Sequence, residues 1–123
     1  MMNEAVYQQI YDELSQYLLA DVSRLVIYLE YGEGSYSFSF YEKSGESYIK
    51  CYDLPGVTDE ALLESFSKID RVVTAARKDE KDLWTSMTMV VDAMGNLHID
   101  FDYSDPTEDG YSFKVAWKKK YLV

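Results

Sequence analysis

The sequence predicts a single α+β domain over residues 1–123: an antiparallel sheet with two helices packed on it, in the order α-β-β-β-α-β-β-β. Three observations predict it. Two segments space their apolar residues with helical period, and the others alternate or run β-branched and aromatic between glycine turns. A chain of 123 residues, 47% of them hydrophobic, has the length and material for one core. A chain of this size buries roughly two-thirds of its unfolded surface.

The first helix covers 4–20, where Val6, Tyr7, Ile10, Tyr11, Leu14, Tyr17 and Leu18 fall on one face. Leu25 to Tyr31 then reads as a strand ended by Gly32-Glu33-Gly34. In Ser35 to Phe40 the period of two puts Tyr36, Phe38 and Phe40 on one face and the serines on the other. After a turn at Lys43-Ser44-Gly45-Glu46, Tyr48 to Tyr52 completes a meander.

Leu54-Pro55-Gly56 breaks the pattern, and Thr58 is placed to cap a helix whose first turn carries Asp59 and Glu60, where carboxylates suit the dipole. Leu62, Leu63, Phe66, Ile69, Val73 and Ala76 carry that helix to about Arg77. Strand character returns in Thr85–Val91, turns at 93–96 and resumes in Leu97–Tyr103, a hairpin. In the last segment Tyr111, Phe113, Val115 and Trp117 alternate with polar or small residues, which predicts a third strand. A short helix through Phe113, Ala116, Trp117 and Lys120 fits as well.

Charge narrows the function. With 12 Lys and Arg against 22 Asp and Glu, the net charge is −10. A nucleic-acid binder needs a basic face to release counterions, and an anionic membrane needs one too. Here the dense basic run is Lys118-Lys119-Lys120, so neither partner is expected. The lone Cys51 cannot form an intramolecular disulfide, and the N-terminal segment, with Glu4, Asp12 and Glu13, lacks a basic leader. These features predict a soluble cytoplasmic protein, a monomer or a weak homodimer through a sheet edge. Of the 19 aromatic residues 12 are Tyr, a type suited to strands and equally to half-exposed contact surfaces.

Catalytic signatures are sparse. One His and one Cys offer little to a nucleophilic hydrolase, and Cys51 reads first as a buried sheet residue. No glycine loop has phosphate-cradling spacing, and no cofactor is expected. In Leu97–Tyr103 the period of two places His98, Asp100 and Asp102 on one face and Ile99, Phe101 and Tyr103 on the other. The polar trio reads as the solvated side of a half-buried strand. Its alternative reading is a divalent-metal site of a small metal-dependent enzyme. The same strand opens a stretch of five carboxylates, Asp100, Asp102, Asp105, Glu108 and Asp109, with no Lys or Arg among them. Such density serves solubility, or it steers a basic protein partner.

The N-terminal helix with Tyr7, Ile10 and Leu14, the segment Val26-Ile27-Tyr28-Leu29-Glu30 before a glycine turn, and the strand through Phe38, Phe40 and Tyr41 resemble the YezG-like immunity proteins, also called EsaG-like antitoxins. So do Trp84-Thr85-Ser86-Met87, Gly95-Asn96-Leu97, Ile99-Asp100-Phe101-Asp102-Tyr103, and Trp117 followed by Lys120-Tyr121-Leu122; the likeness spans nearly the whole chain. It implies a cytoplasmic, non-enzymatic antitoxin that binds and neutralises the toxin domain, in described cases a nuclease, of a cognate secreted polymorphic toxin. Tyr111–Trp117 departs from the family by alternating where relatives read as helical. Charge pattern and resemblance together nominate Asp100, Asp102, Asp105, Glu108 and Asp109 to face the toxin's basic cleft. Tyr103 and Trp84 would be aromatic anchors, and Glu30 and Glu33 further acidic candidates. A general protein-interaction module is the remaining alternative.

Overall fold

The computed structural model describes residues 1–105 and 109–123. Helix α1 (Glu4–Leu14) starts where the Asn3 side chain accepts the Val6 N–H, and it buries Val6, Ile10 and Leu14. A 3-10 turn at Ser15–Tyr17 ends it sooner than residue 20. Strands β1 (Val22–Gly32), β2 (Ser35–Ser44) and β3 (Ser47–Lys50) form the predicted meander. Its two turns use Gly34 and Gly45 at positive φ, a conformation glycine adopts without steric cost. The third strand stops at Lys50, short of the expected Tyr52, because Cys51–Asp53 coils into a 3-10 turn that buries Cys51.

Helix α2 (Asp59–Arg77) begins as the sequence predicts: Thr58 accepts the Ala61 N–H, and Leu62, Phe66, Ile69 and Val73 face inward. Strands β4 (Ser86–Asp92) and β5 (Leu97–Asp102) make the second hairpin. Asp92 organises its turn by accepting the N–H groups of Met94 and Asn96 and the Asn96 amide.

The five strands pair antiparallel in the order β3-β2-β1-β4-β5. Alternation along the ladders gives the sheet two unlike faces. Leu25, Ile27 and Leu29 of β1, Phe38 and Phe40 of β2, and Met87 and Met89 of β4 pack under α1 and α2 in the main core. The opposite face is polar: Tyr28, Glu30, Ser37, Ser39, Ser86, Thr88 and Asp100 share it with a small apolar cluster of Val26, Val90 and Tyr121.

The last segment takes the helical of its two fits, as α3 (Gly110–Tyr121). Asp109 caps it by accepting the Ser112 N–H, and the three lysines lie in the last turn, where the dipole favours cations. Helical spacing aligns Phe113, Trp117 and Tyr121 along one stripe, a period the two-residue alternation conceals. That stripe lies across the polar face, with the rings of Phe113 and Trp117 at 6.2 and 5.1 Å from Tyr28. The helices are therefore split between both faces of the sheet.

Candidate functional site

The predicted alternation in β5 holds. His98, Asp100 and Asp102 pair with Val90, Thr88 and Ser86, and they lie on the α3 side, whereas Ile99 and Phe101 pack against the main core. The ladder also places Glu30 in one row with Ser86 and Asp102. Strand spacing puts Glu30 and Asp102 about 10 Å apart on the same face. Beyond β5 the chain adds exposed Asp105 and Asp109, flanked by Tyr103 and Tyr111, which are 58% and 83% exposed. Glu108 lies outside the described residues.

Several of these carboxylates also hold the fold. Asp102 Oδ1 accepts both the N–H and the hydroxyl of Ser104, which keeps its carboxyl below the usual carboxylate range. Asp100 Oδ2 accepts the Tyr121 hydroxyl at 2.5 Å and meets His98 Nε2 at 3.0 Å. The Tyr121 bond is the larger cause lowering the Asp100 pKa, with His98 second and Lys120 contributing charge. Burial and the same carboxylate push the Tyr121 phenol up.

These contacts, together with Trp117 Nε1 donating to Thr88 at 2.9 Å and Arg24 donating to the Tyr121 carbonyl at 3.1 Å, fasten α3 to the sheet. Helix α3 leaves a cleft of about 340 Å³ at its β5 side, lined by Asp100, Asp102, Trp117 and Lys120 among others. Tyr121→Phe should lower the unfolding free energy by about 1–2 kcal/mol, because it removes a hydrogen bond to a charged group. It should also return the Asp100 pKa toward the ordinary value, and urea melts with an NMR titration of Asp100 check both effects.

One expectation needs correction. Trp84 is 1% exposed and belongs to the core: its ring lies 5.6 Å from Tyr31 and 5.4 Å from Phe101, with the Arg77 guanidinium 5.3 Å away. A large aromatic beside an acidic stretch looks the same in sequence whether it anchors a partner or closes a core. The His98, Asp100 and Asp102 trio shares the face that the alternation predicts; His98 pairs with Asp100 at 3.0 Å, while Asp102 turns to Ser104. Among the described residues no three His, Cys, Asp or Glu side chains converge to hold a metal ion. Tyr111 is exposed in the first turn of α3, part of a segment whose alternation predicts a strand.

A sequence profile described as "Immunity protein YezG-like" matches residues 3–123. The chain belongs to the YezG-like immunity protein family. It is similar to the Immunity protein YezG of Bacillus subtilis (strain 168), 24% identical over 95% of this chain and 85% of that protein. It is also similar to the Immunity protein YezG of Bacillus spizizenii (strain ATCC 23059 / NRRL B-14472 / W23), 21% identical over 95% of this chain and 80% of that protein. Family membership supports an immunity role. Among the described residues no helix is long and apolar enough to cross a membrane.

Proposed function

We propose that this YezG-like protein is a cytoplasmic, non-enzymatic antitoxin that binds the toxin domain of a cognate secreted polymorphic toxin, a nuclease, and neutralises it in the cell that makes both. The family match over residues 3–123 carries this reading. Asp100, Asp102, Asp105, Glu108 and Asp109 face the basic surface with which a nuclease holds nucleic acid, and Glu30 joins them from β1. Tyr103 supplies an aromatic anchor, and Tyr111 takes the place first given to Trp84. A net charge of −10 suits such a partner, since opposite charge raises the encounter rate.

The test is association kinetics with the toxin encoded beside this chain. Asp102→Lys combined with Asp105→Lys should slow association about tenfold or more at low salt, within the range known for electrostatic steering. Reversing Asp12 and Glu60, exposed carboxylates of α1 and α2, should have a far smaller effect. Asp102→Asn keeps an acceptor for Ser104 and controls for the local turn. Equal slowing by both pairs would remove the acidic face and leave generic charge.

A further inference from the structure

Among the described residues, strand β5 is an edge of the sheet with no strand paired beyond it. The phase of the ladder follows from two hydrogen bonds: Tyr31 N–H donates to the Thr85 carbonyl at 2.8 Å, and Asp92 N–H donates to the Asn96 carbonyl at 3.1 Å. With the observed register, the hydrogen-bonded pairs of the second hairpin are Val90 with His98, Thr88 with Asp100 and Ser86 with Asp102. The backbone N–H and C=O groups of Leu97, Ile99 and Phe101 therefore point away from the sheet, a row of donors and acceptors that can template another strand.

Among the described residues, the guard against indiscriminate pairing is the charge of Asp100 and Asp102. β5 runs six residues, Leu97–Asp102, with no Pro or Lys, whereas the opposite edge, β3, has four residues and ends in Lys50. Its two faces differ in chemistry. On one side lie His98, Asp100 and Asp102, with Lys120 of α3 nearby. On the other side Leu97, 44% exposed, leads into a groove of about 600 Å³ whose apolar wall includes Tyr7, Tyr11, Met89, Val91 and Met94, the last 88% exposed.

Charge selects the occupant. Antiparallel pairing of two β5 strands would set the carboxylates of one copy beside those of the other, between chains that each carry −10. On a strand with alternating basic and apolar residues, the basic side chains meet Asp100 and Asp102 on the α3 side, and an apolar one beside Leu97 meets the groove.

We propose that β5 takes up an extended segment of the protein partner as a sixth strand, one that alternates Lys or Arg with apolar residues. This inference rests on the antitoxin reading and specifies how the partner is held: main-chain hydrogen bonds from Leu97, Ile99 and Phe101 supply affinity, and the unlike faces supply specificity.

The probe is an end-blocked peptide of about eight residues alternating Lys and Val, a length suited to one strand. Added to ¹⁵N-labelled protein, it is expected to shift the amides of Leu97, Ile99 and Phe101 and to slow their hydrogen exchange about tenfold at saturation. A peptide of the same composition with its Lys and Val in two blocks should leave them unmoved. Shifts confined to other surfaces, an equal response to the block peptide, or no response at about millimolar peptide each overturn the inference. The experiment uses no toxin, so the two readings fail separately. Protection of β5 with no toxin partner removes the antitoxin reading alone, while a toxin complex in which the three amides stay exchangeable removes strand addition alone.

Discussion

Trp84→Ala is expected to destabilise the protein by about 3–5 kcal/mol, the range for truncating a fully buried large aromatic. The indole fills the space where the loop from α2 enters the sheet, between Tyr31 of β1 and Phe101 of β5. Arg77 closes it from the end of α2: its Nε donates to the Trp84 carbonyl at 2.7 Å, and its guanidinium stacks over both Tyr31 and Trp84. Removing the ring opens a cavity at a junction of three elements, where collapse is hard. Trp84→Phe should cost much less. The indole Nε1 is buried without a hydrogen-bond partner among the described residues, and Phe dispenses with that unsatisfied donor while keeping most of the contact. Urea unfolding of both variants gives the stabilities, and toxin association measured on the folded fraction separates two roles. A core Trp84 leaves the association rate of Trp84→Phe unchanged; a contact Trp84 lowers it at unchanged stability.

Legibility in the sequence followed local physics. Thr58 with Asp59 and Glu60 marked the start of α2 to the residue, because a cap is chosen by groups within one turn. Ser35–Phe40 declared both its strand and its inward face, since Phe38 and Phe40 had only one core to enter. Nonlocal choices were hidden. Tyr111–Trp117 satisfies a period of two and, through Phe113, Trp117 and Tyr121, a period of four; a polar sheet face that welcomes two rings and a phenol decides between them. The five carboxylates were visible as a cluster, but the tasks of Asp100 under Tyr121 and Asp102 at Ser104 depend on residues brought up by the fold. The open edge of β5 was invisible for the same reason: it exists only because the last segment crosses the sheet instead of extending it.

Glu42→Gln should stabilise the protein, and the gain should grow as pH rises above the ordinary glutamate range. Glu42 stands opposite Leu25 in the ladder, and it points into the main core with no exposed surface. One carboxylate oxygen accepts the Leu19 N–H at 2.9 Å; the other has no hydrogen-bond partner among the described residues. Burial raises its pKa, and the single bond from Leu19 opposes that only in part. A carboxyl whose folded pKa exceeds its unfolded value binds its proton more tightly in the native state. Its stabilising contribution is therefore complete below the unfolded value and lost as pH climbs through the folded one. Gln keeps the acceptor for Leu19 and carries no charge, so it escapes this loss. The gain comes from removing the buried charge alone, because Gln leaves the second position of the side chain without a partner just as Glu42 does. Urea unfolding at pH 5 and pH 7 measures it, with Glu60→Gln as the control: it makes the same change in net charge at an exposed site of α2. Parallel pH dependences for Glu42→Gln and the wild type would show that Glu42 does not govern the slope. A steeper loss in the wild type assigns it to this one buried carboxyl, set within the β2 strand whose neighbours on the same face are Phe38 and Phe40.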